Sequence, residues 1–249
     1  MSLNLSEIWR YPLKSHGREP VGQALLEVGK CLPYDRRWAV AHEASDATGD
    51  KWVPCVNFSR GSKAPGLMAI EAAMDEASGR LTLTHPELGS LSFDPETEAD
   101  RLIAWAAPVM PADRAASARI VRVPDRGMTD TDYPSVSLGG LASHRALEGR
   151  MGRELSRKRW RLNLWVDGLA PWEEFDLIGH EIRIGDARLA VEERIVRCLA
   201  TTANPETGRR DADTLGALEA AYGHQDFGVY ARVVDAGRIR PGDKIEVIR

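Results

Sequence analysis

Residues 194–211 read RIVRCLATTANPETGRRD, and the order of features in this stretch decides the fold. Branched residues carry a strand to Cys198. The paired threonines Thr201 and Thr202 follow, and 204–208 (NPETG) then puts a glycine where a tight reversal needs a left-handed residue. A thiol at the end of a barrel strand can be presented at a rim instead of being locked into a core. Working outward, runs rich in Val, Ile, Leu, Thr and aromatic residues predict strands at 161–166, 180–184, 187–197, 228–235 and 244–248. Upstream, the same signal falls at 7–11, 24–28, 37–42, 66–72, 80–85 and 119–123, with a second hairpin turn at 75–79 (DEASG). Helical composition is confined to 97–108, 141–154 and 213–222. This pattern lacks regular βαβ alternation and predicts a mainly β fold with some α, built from β-barrels and not from a doubly wound sheet. Proline, glycine and aspartate around 124–132 mark a linker, dividing the chain into 1–124 and 125–249.

Composition narrows the function. Hydrophobic residues at 43% and charged residues at 28% of 249 positions are near soluble globular averages and exclude collagen-like, disordered and disulfide-scaffold classes. No apolar run is long enough for a membrane span, and MSLNLSEIWRYPLK lacks a signal-peptide layout, so a cytoplasmic protein is expected. A net charge of -4 argues against a general nucleic-acid partner. Three cysteines do not make a disulfide framework, and a reducing compartment suits them. There is no GxxxxGK[ST], GxGxxG after a strand, HExxH, GxSxG or CxxC, and the six histidines are scattered without metal-ligand spacing.

Three features carry chemistry. Cys198 offers a soft thiolate suited to a soft or high-valent transition metal, although a free cysteine is most often a small buried hydrophobe, and spacing leaves both open. The stretch 145–161, RALEGRMGRELSRKRWR, carries seven Arg or Lys against two Glu. Such a run either recognises an anion or lies on a solvated helix face. A strand containing Arg161 and Asn163 would project both side chains to one side. At the amino end, Pro12 closes the first strand and leaves Lys14 and Ser15 in a loop where an ammonium and a hydroxyl can reach an anion, and Arg36 opens the next aromatic-containing strand.

Together WRYPLKS, DRRW, WRLNLWV, RCLATTANPETG and FGVYARVVDAGRIRPGDKIEVI resemble the MOSC family, named for the molybdenum cofactor sulfurase carboxy terminus, in its two-part form with an amino-terminal β-barrel. They are most similar to the branch of the mitochondrial amidoxime-reducing component and its bacterial counterparts. The resemblance implies a smaller amino-terminal β-barrel-like domain followed by a MOSC β-barrel. It implies Cys198 as the molybdenum ligand and catalytic cysteine, with Lys14, Ser15, Arg36, Arg161 and Asn163 holding the anionic pterin of the molybdenum cofactor and Tyr230 lining the pocket. The chain departs from the family pattern at Leu162, where relatives often carry proline, at 134–137 (PSVS), and in a short 208–227 loop.

The expected activity is reduction of an N-hydroxylated or N-oxide small molecule, with electrons from separate proteins. Two alternatives stand beside it. In one, Cys198 is a persulfide carrier in sulfur transfer; in the other, the chain is a non-catalytic carrier or sensor of the cofactor.

Overall fold

The computed structural model describes residues 2–248. In chain order, β1 (Asn4–Arg10), β2 (Glu19–Pro20), β3 (Ala24–Leu26) and β4 (Ala39–His42) precede the antiparallel series β5 (Glu71–Met74), β6 (Leu81–His85) and β7 (Gly89–Phe93). Helix α1 (Ala99–Ala106) and β8 (Ser117–Val121) complete the first half. Then come β9 (Val136–Gly140), α2 (Leu141–Met151), β10 (Leu164–Asp167), β11 (Glu181–Ile184) and β12 (Ala187–Val196). The chain closes with α3 (Thr214–Tyr222), β13 (Asp226–Asp235), β14 (Gly237–Ile239) and β15 (Ile245–Ile248). The class is mainly β with some α, as the patterning predicts.

The large sheet runs β15-β11-β12-β13-β9-β10-β1-β2. Its one parallel pair, β9 with β10, is joined through α2, because parallel neighbours cannot be linked by a hairpin. Strand β12 shifts register against β13 at three places, the last between Arg194 and Val196. Such bulges curl a sheet and re-aim the side chains beyond them. Alternation splits the burial. Leu164 and Val166 join Leu189, Val191, Val229 and Ala231 in one core, while Trp165 between them joins Trp160 and Phe227 on the other face. Trp160 stacks on Phe227 with ring centroids 4.0 Å apart. A separate core of Trp38, Leu67, Leu81, Leu83, Phe93 and Leu102 fills the amino-terminal half.

The two halves interlock. β1 pairs with β10, placing Leu5 opposite Val166, and β3 pairs with β14. A boundary at 124/125 therefore does not separate the sheets: residues of the first 26 belong to sheets closed by the second half.

Two expected strands are corrected. In 161–166 the strand starts only at Leu164, because Arg161 caps the 3-10 turn Arg157–Trp160 with a φ of 53°. In 66–72 the chain first makes the 3-10 turn Pro65–Ala69, where proline fixes the entry φ, and β5 begins at Glu71. The helices lie where expected. α3 starts at the Asp213 cap, whose Oδ1 accepts from Gly216 N at 2.9 Å, and α2 stops at left-handed Gly152.

The 204–208 turn docks on the first half. Gly208 has a φ of +69°, and a Cβ there would lie 2.7 Å from Gly66 Cα; Pro205 O accepts from the buried Arg18 Nη2 at 2.7 Å. Gly79 has a similar φ of +74° but faces open space. Gly208→Ala should therefore cost roughly 2 kcal/mol more than Gly79→Ala in urea unfolding, since only the former adds a backbone collision to the strain. Equal losses would contradict the docking.

Candidate functional site

Cys198 stands where β12 runs out. It is the exposed N-terminal cap of the 3-10 turn Leu199–Thr202. Both threonine hydroxyls turn back onto this segment, Thr201 Oγ1 donating to Cys198 O at 3.1 Å and Thr202 Oγ1 to Leu199 O at 2.8 Å, so they shape the turn. Plain alternation would send Arg197 to the opposite face from Cys198. After the register shift it lines the same cavity instead. Its Nε donates to Phe227 O at 2.8 Å and its Nη1 to Trp160 O at 2.9 Å, which ties the end of β12 to β13 and to the 157–161 turn. Burial pushes this guanidinium down to about 10, against the opposing pull of Tyr230, Cys198 and Asp130.

The cavity has a volume of about 260 Å³ and lies between the two halves. It brings together Lys14, Ser15, Arg36, Arg161, Cys198 and Tyr230 from the sequence-derived set. Asn163 is not brought to it. Its Oδ1 accepts from Ser137 N at 3.1 Å and Ser137 Oγ at 2.9 Å, and its Nδ2 donates to Trp9 O at 3.1 Å. Both ends are engaged, so Asn163 pins β9 and β1 together behind the site, reaching only a small adjoining recess shared with Arg36, Asp130 and Tyr230.

Three of the six described non-glycine residues with positive φ are site residues: Ser15 at 64°, Arg36 at 50° and Arg161 at 53°. Left-handed backbone costs such residues about 1–2 kcal/mol each, and strain of this kind gathers at functional sites. The result is a convergent set of donors. Arg36 Nη2 donates to Arg161 O at 2.9 Å, and the Arg36 and Arg161 guanidinium carbons lie 4.6 and 4.4 Å from the centre of the Tyr11 ring. Burial works against the Arg36 charge, but Asp35, Tyr11 and Asp130 more than offset it and raise its pKa.

Arg161 is differently placed. Burial pushes it down to about 10, with Arg36 and Arg18 adding to the effect and Tyr11 opposing it. Its Nη2 donates to Gly17 O at 3.2 Å, while its solvent-shielded Nη1 has no partner. Among the described residues no carboxylate pairs with it. Beside it, burial pushes His16 down to about 4, so the ring is neutral and its Nδ1–H donates to Lys14 O at 2.8 Å.

Six basic side chains line the cavity, Lys14, Arg36, Arg60, Arg159, Arg161 and Arg197, against one carboxylate, Asp130. Asp130 accepts from Lys14 Nζ at 2.5 Å. Burial would raise its pKa, but Lys14, Arg36 and Arg161 outweigh that and hold it below the usual range. Tyr230 is pushed up by burial, with Asp130 adding, and keeps its proton at neutral pH. Asp130, Arg197, Arg60 and Cys55 were not visible as site residues in the sequence: alternation misplaces Arg197, and the other three lie in loops without pattern.

The basic stretch 145–161 divides in the structure. Arg145, Arg153, Arg157, Lys158 and Arg159 pair with Asp167, Asp211, Glu7, Glu71 and Asp211 respectively. Only Arg159 and Arg161 reach the cavity among these basic residues. A larger cleft of about 860 Å³ lies between β1 and α2, but its Glu7 already takes Trp9 Nε1 and Arg157, and no thiol faces it.

Family models agree with this architecture. The MOSC N-terminal beta barrel domain matches residues 2–116 and the MOSC domain matches residues 131–246. The chain belongs to the MOSC family. The MOSC match contains Cys198, Arg161 and Tyr230, and the amino-terminal match contains Lys14, Ser15 and Arg36. A stretch of 153 residues is 28% identical to mitochondrial amidoxime-reducing component 1 of Mus musculus, covering 55% of this chain and 44% of that protein. The match thus spans less than half the length of that relative. Among solved structures, the YUAD protein from Bacillus subtilis superposes with a TM-score of 0.47 at 13% identity, over 99% of this chain and 96% of that one. YiiM from Geobacillus stearothermophilus gives a TM-score of 0.37 at 20% identity, over 46% of this chain and 54% of that one. No helix among the described residues is long and apolar enough to cross a membrane.

Asp130 sits among the cations that an anionic ligand would need. Asp130→Asn should therefore tighten binding of inorganic phosphate by roughly tenfold, about 1.4 kcal/mol, as expected for removing a like charge a few ångströms away in a partly shielded site. Isothermal titration reads this directly. Weaker binding would mean that the carboxylate chiefly holds Lys14 in place.

Proposed function

We propose that the protein is a molybdenum-cofactor oxidoreductase that removes oxygen from an N-hydroxylated or N-oxide small molecule, with electrons supplied by a separate protein. One observation carries this reading. A single cavity is lined by an exposed cysteine, Cys198, and by Arg161, whose solvent-shielded guanidinium has an unpaired Nη1.

The donor set fits the cofactor. A soft thiolate suits molybdenum. Arg161, an arginine fork without a carboxylate of its own, suits a phosphate, with Arg36 beside it, and Lys14 and Ser15 add an ammonium and a hydroxyl. When bound, the cofactor supplies two-electron redox chemistry at the metal, converting the N–O compound, with two protons, to the reduced nitrogen compound and water. The chain's own residues bind and orient. Arg161, Arg36, Lys14 and Ser15 hold the phosphate end, and Arg197 fixes the segment that presents Cys198. Tyr230 keeps a phenolic proton to donate, and ionised Asp130 can accept one. The substrate class follows the name of the mouse relative, an amidoxime-reducing component.

Exposure of Cys198, with Val196 and Leu199 exposed beside it, favours one second reading, in which the same thiol carries a persulfide to a partner.

Protein made in a host that synthesises the cofactor should contain near-stoichiometric molybdenum and pterin, lost in Cys198→Ala and reduced in Arg161→Ala. Wild-type protein should reduce a benzamidoxime with a reconstituted electron donor. Metal-free wild type that gains a persulfide on Cys198 from a cysteine desulfurase would overturn the reductase in favour of sulfur transfer.

A further inference from the structure

We infer that Cys55 is a second reactive thiol of this cavity, and that a peroxide links it to Cys198 in a disulfide between the two halves of the chain. The two cysteines come from opposite sides of the 124–132 linker in sequence and line one space of about 260 Å³. Cys31, the remaining cysteine, is buried beside Gly127 and lies outside that lining.

The walls carrying the two thiols are clamped together. Arg210 Nη2 donates to Ser62 O at 2.8 Å, and a Cβ on Gly61 would lie 3.7 Å from Ala200 Cβ, so the loop after Cys55 rests on the turn after Cys198. Arg60 Nη1 donates to Cys55 Sγ at 3.1 Å, which places that sulfur in the cationic wall. Neither thiol is held by core packing. Cys55 opens the 3-10 turn Cys55–Asn57, none of whose residues is buried, and Cys198 is exposed. An S–S bond of about 2.05 Å needs the two Cα atoms within about 7 Å, and the proposal requires the two turns that carry the thiols to reach that approach.

The chemistry balances with hydrogen peroxide as oxidant. Cys198 sulfur attacks peroxide, the O–O bond breaks, and a sulfenic acid and water form. Cys55 sulfur then attacks the sulfenic sulfur, the S–O bond breaks and a second water leaves. Two thiols and one peroxide give one disulfide and two waters, and a dithiol reverses it. The bridge would span the cavity and bar a ligand from Cys198, while reduction would reopen it.

The test is peptide mass mapping of the full chain, purified without molybdenum, treated with equimolar hydrogen peroxide and alkylated. A Cys55–Cys198 crosslinked peptide is expected, retained in Cys31→Ser and removed by dithiothreitol. In Cys55→Ser, Cys198 should instead advance to sulfinic acid at least fivefold faster than in wild type. Overoxidation of Cys198 at the same rate in both proteins, with Cys55 left free to alkylate, would overturn the inference. These arms use metal-free protein, so they decide the disulfide whether or not the protein takes up molybdenum.

Discussion

A guanidinium shielded from water and lacking a carboxylate partner is costly by several kcal/mol until an anion completes it. Arg161 is in that position, with one shielded nitrogen unpartnered and Arg36 and Arg18 adding to the repulsion. The rest of the site is arranged around this charge. Arg36 is held by Asp35 and bonds to Arg161's own carbonyl, and Lys14 leans on Asp130 from the linker. Tyr11 lies against both guanidiniums, and its hydroxyl donates to Leu162 O at 2.9 Å, securing the backbone just beyond Arg161. A positive pocket of this kind is stable in the folded chain only because the surrounding structure is over-determined.

That over-determination comes from interlocked halves. β1 completes the sheet of the second half, and the loop that follows it carries Lys14 and Ser15. The turn after Cys198 is pressed onto Gly66 and hydrogen-bonded by Arg18, Arg159 and Arg210, drawing carbonyls from both halves into one network. Cys198 and Lys14 therefore keep a fixed relation although they are 184 residues apart in sequence. The curl of β12 has the same effect locally, since its final register shift delivers Arg197 to the side of Cys198.

Much of this was legible in the sequence where local chemistry decides it. Gly208 and Gly79 mark real turns, the helix expected at 213–222 starts at its Asp213 cap, and Pro12 leaves Lys14 in a loop, whereas the helix expected over 141–154 stops earlier, at Gly152. Elsewhere tertiary contacts override the local signal. β9, VSLGG, has two glycines and weak strand propensity, yet all five residues are buried between β10 and β13. Arg161 looks like part of a strand and is instead a left-handed cap, which is what turns its side chain toward the pocket. Two-residue spacing puts Asn163 beside Arg161 on a strand and so suggests a ligand-holding pair, but with Arg161 off the strand that spacing loses its meaning. The 145–161 charge run overstates the anion site, since most of its cations find acidic partners from other parts of the chain.

Cys198 and the cationic side chains line one cavity. In the proposed reading, the sulfur would fix the reactive end of the cofactor and the guanidiniums its anionic end. Charge alone makes an anion site, and a thiol alone makes a nucleophile. Their union in one cavity, in a chain of the MOSC family, is what points to a metal-bearing anionic cofactor. Molybdenum K-edge X-ray absorption of wild type and Cys198→Ser, each loaded with the cofactor, tests this most directly. One fewer sulfur is predicted in the metal's coordination shell in the variant; an unchanged sulfur count would contradict Cys198 as the ligand.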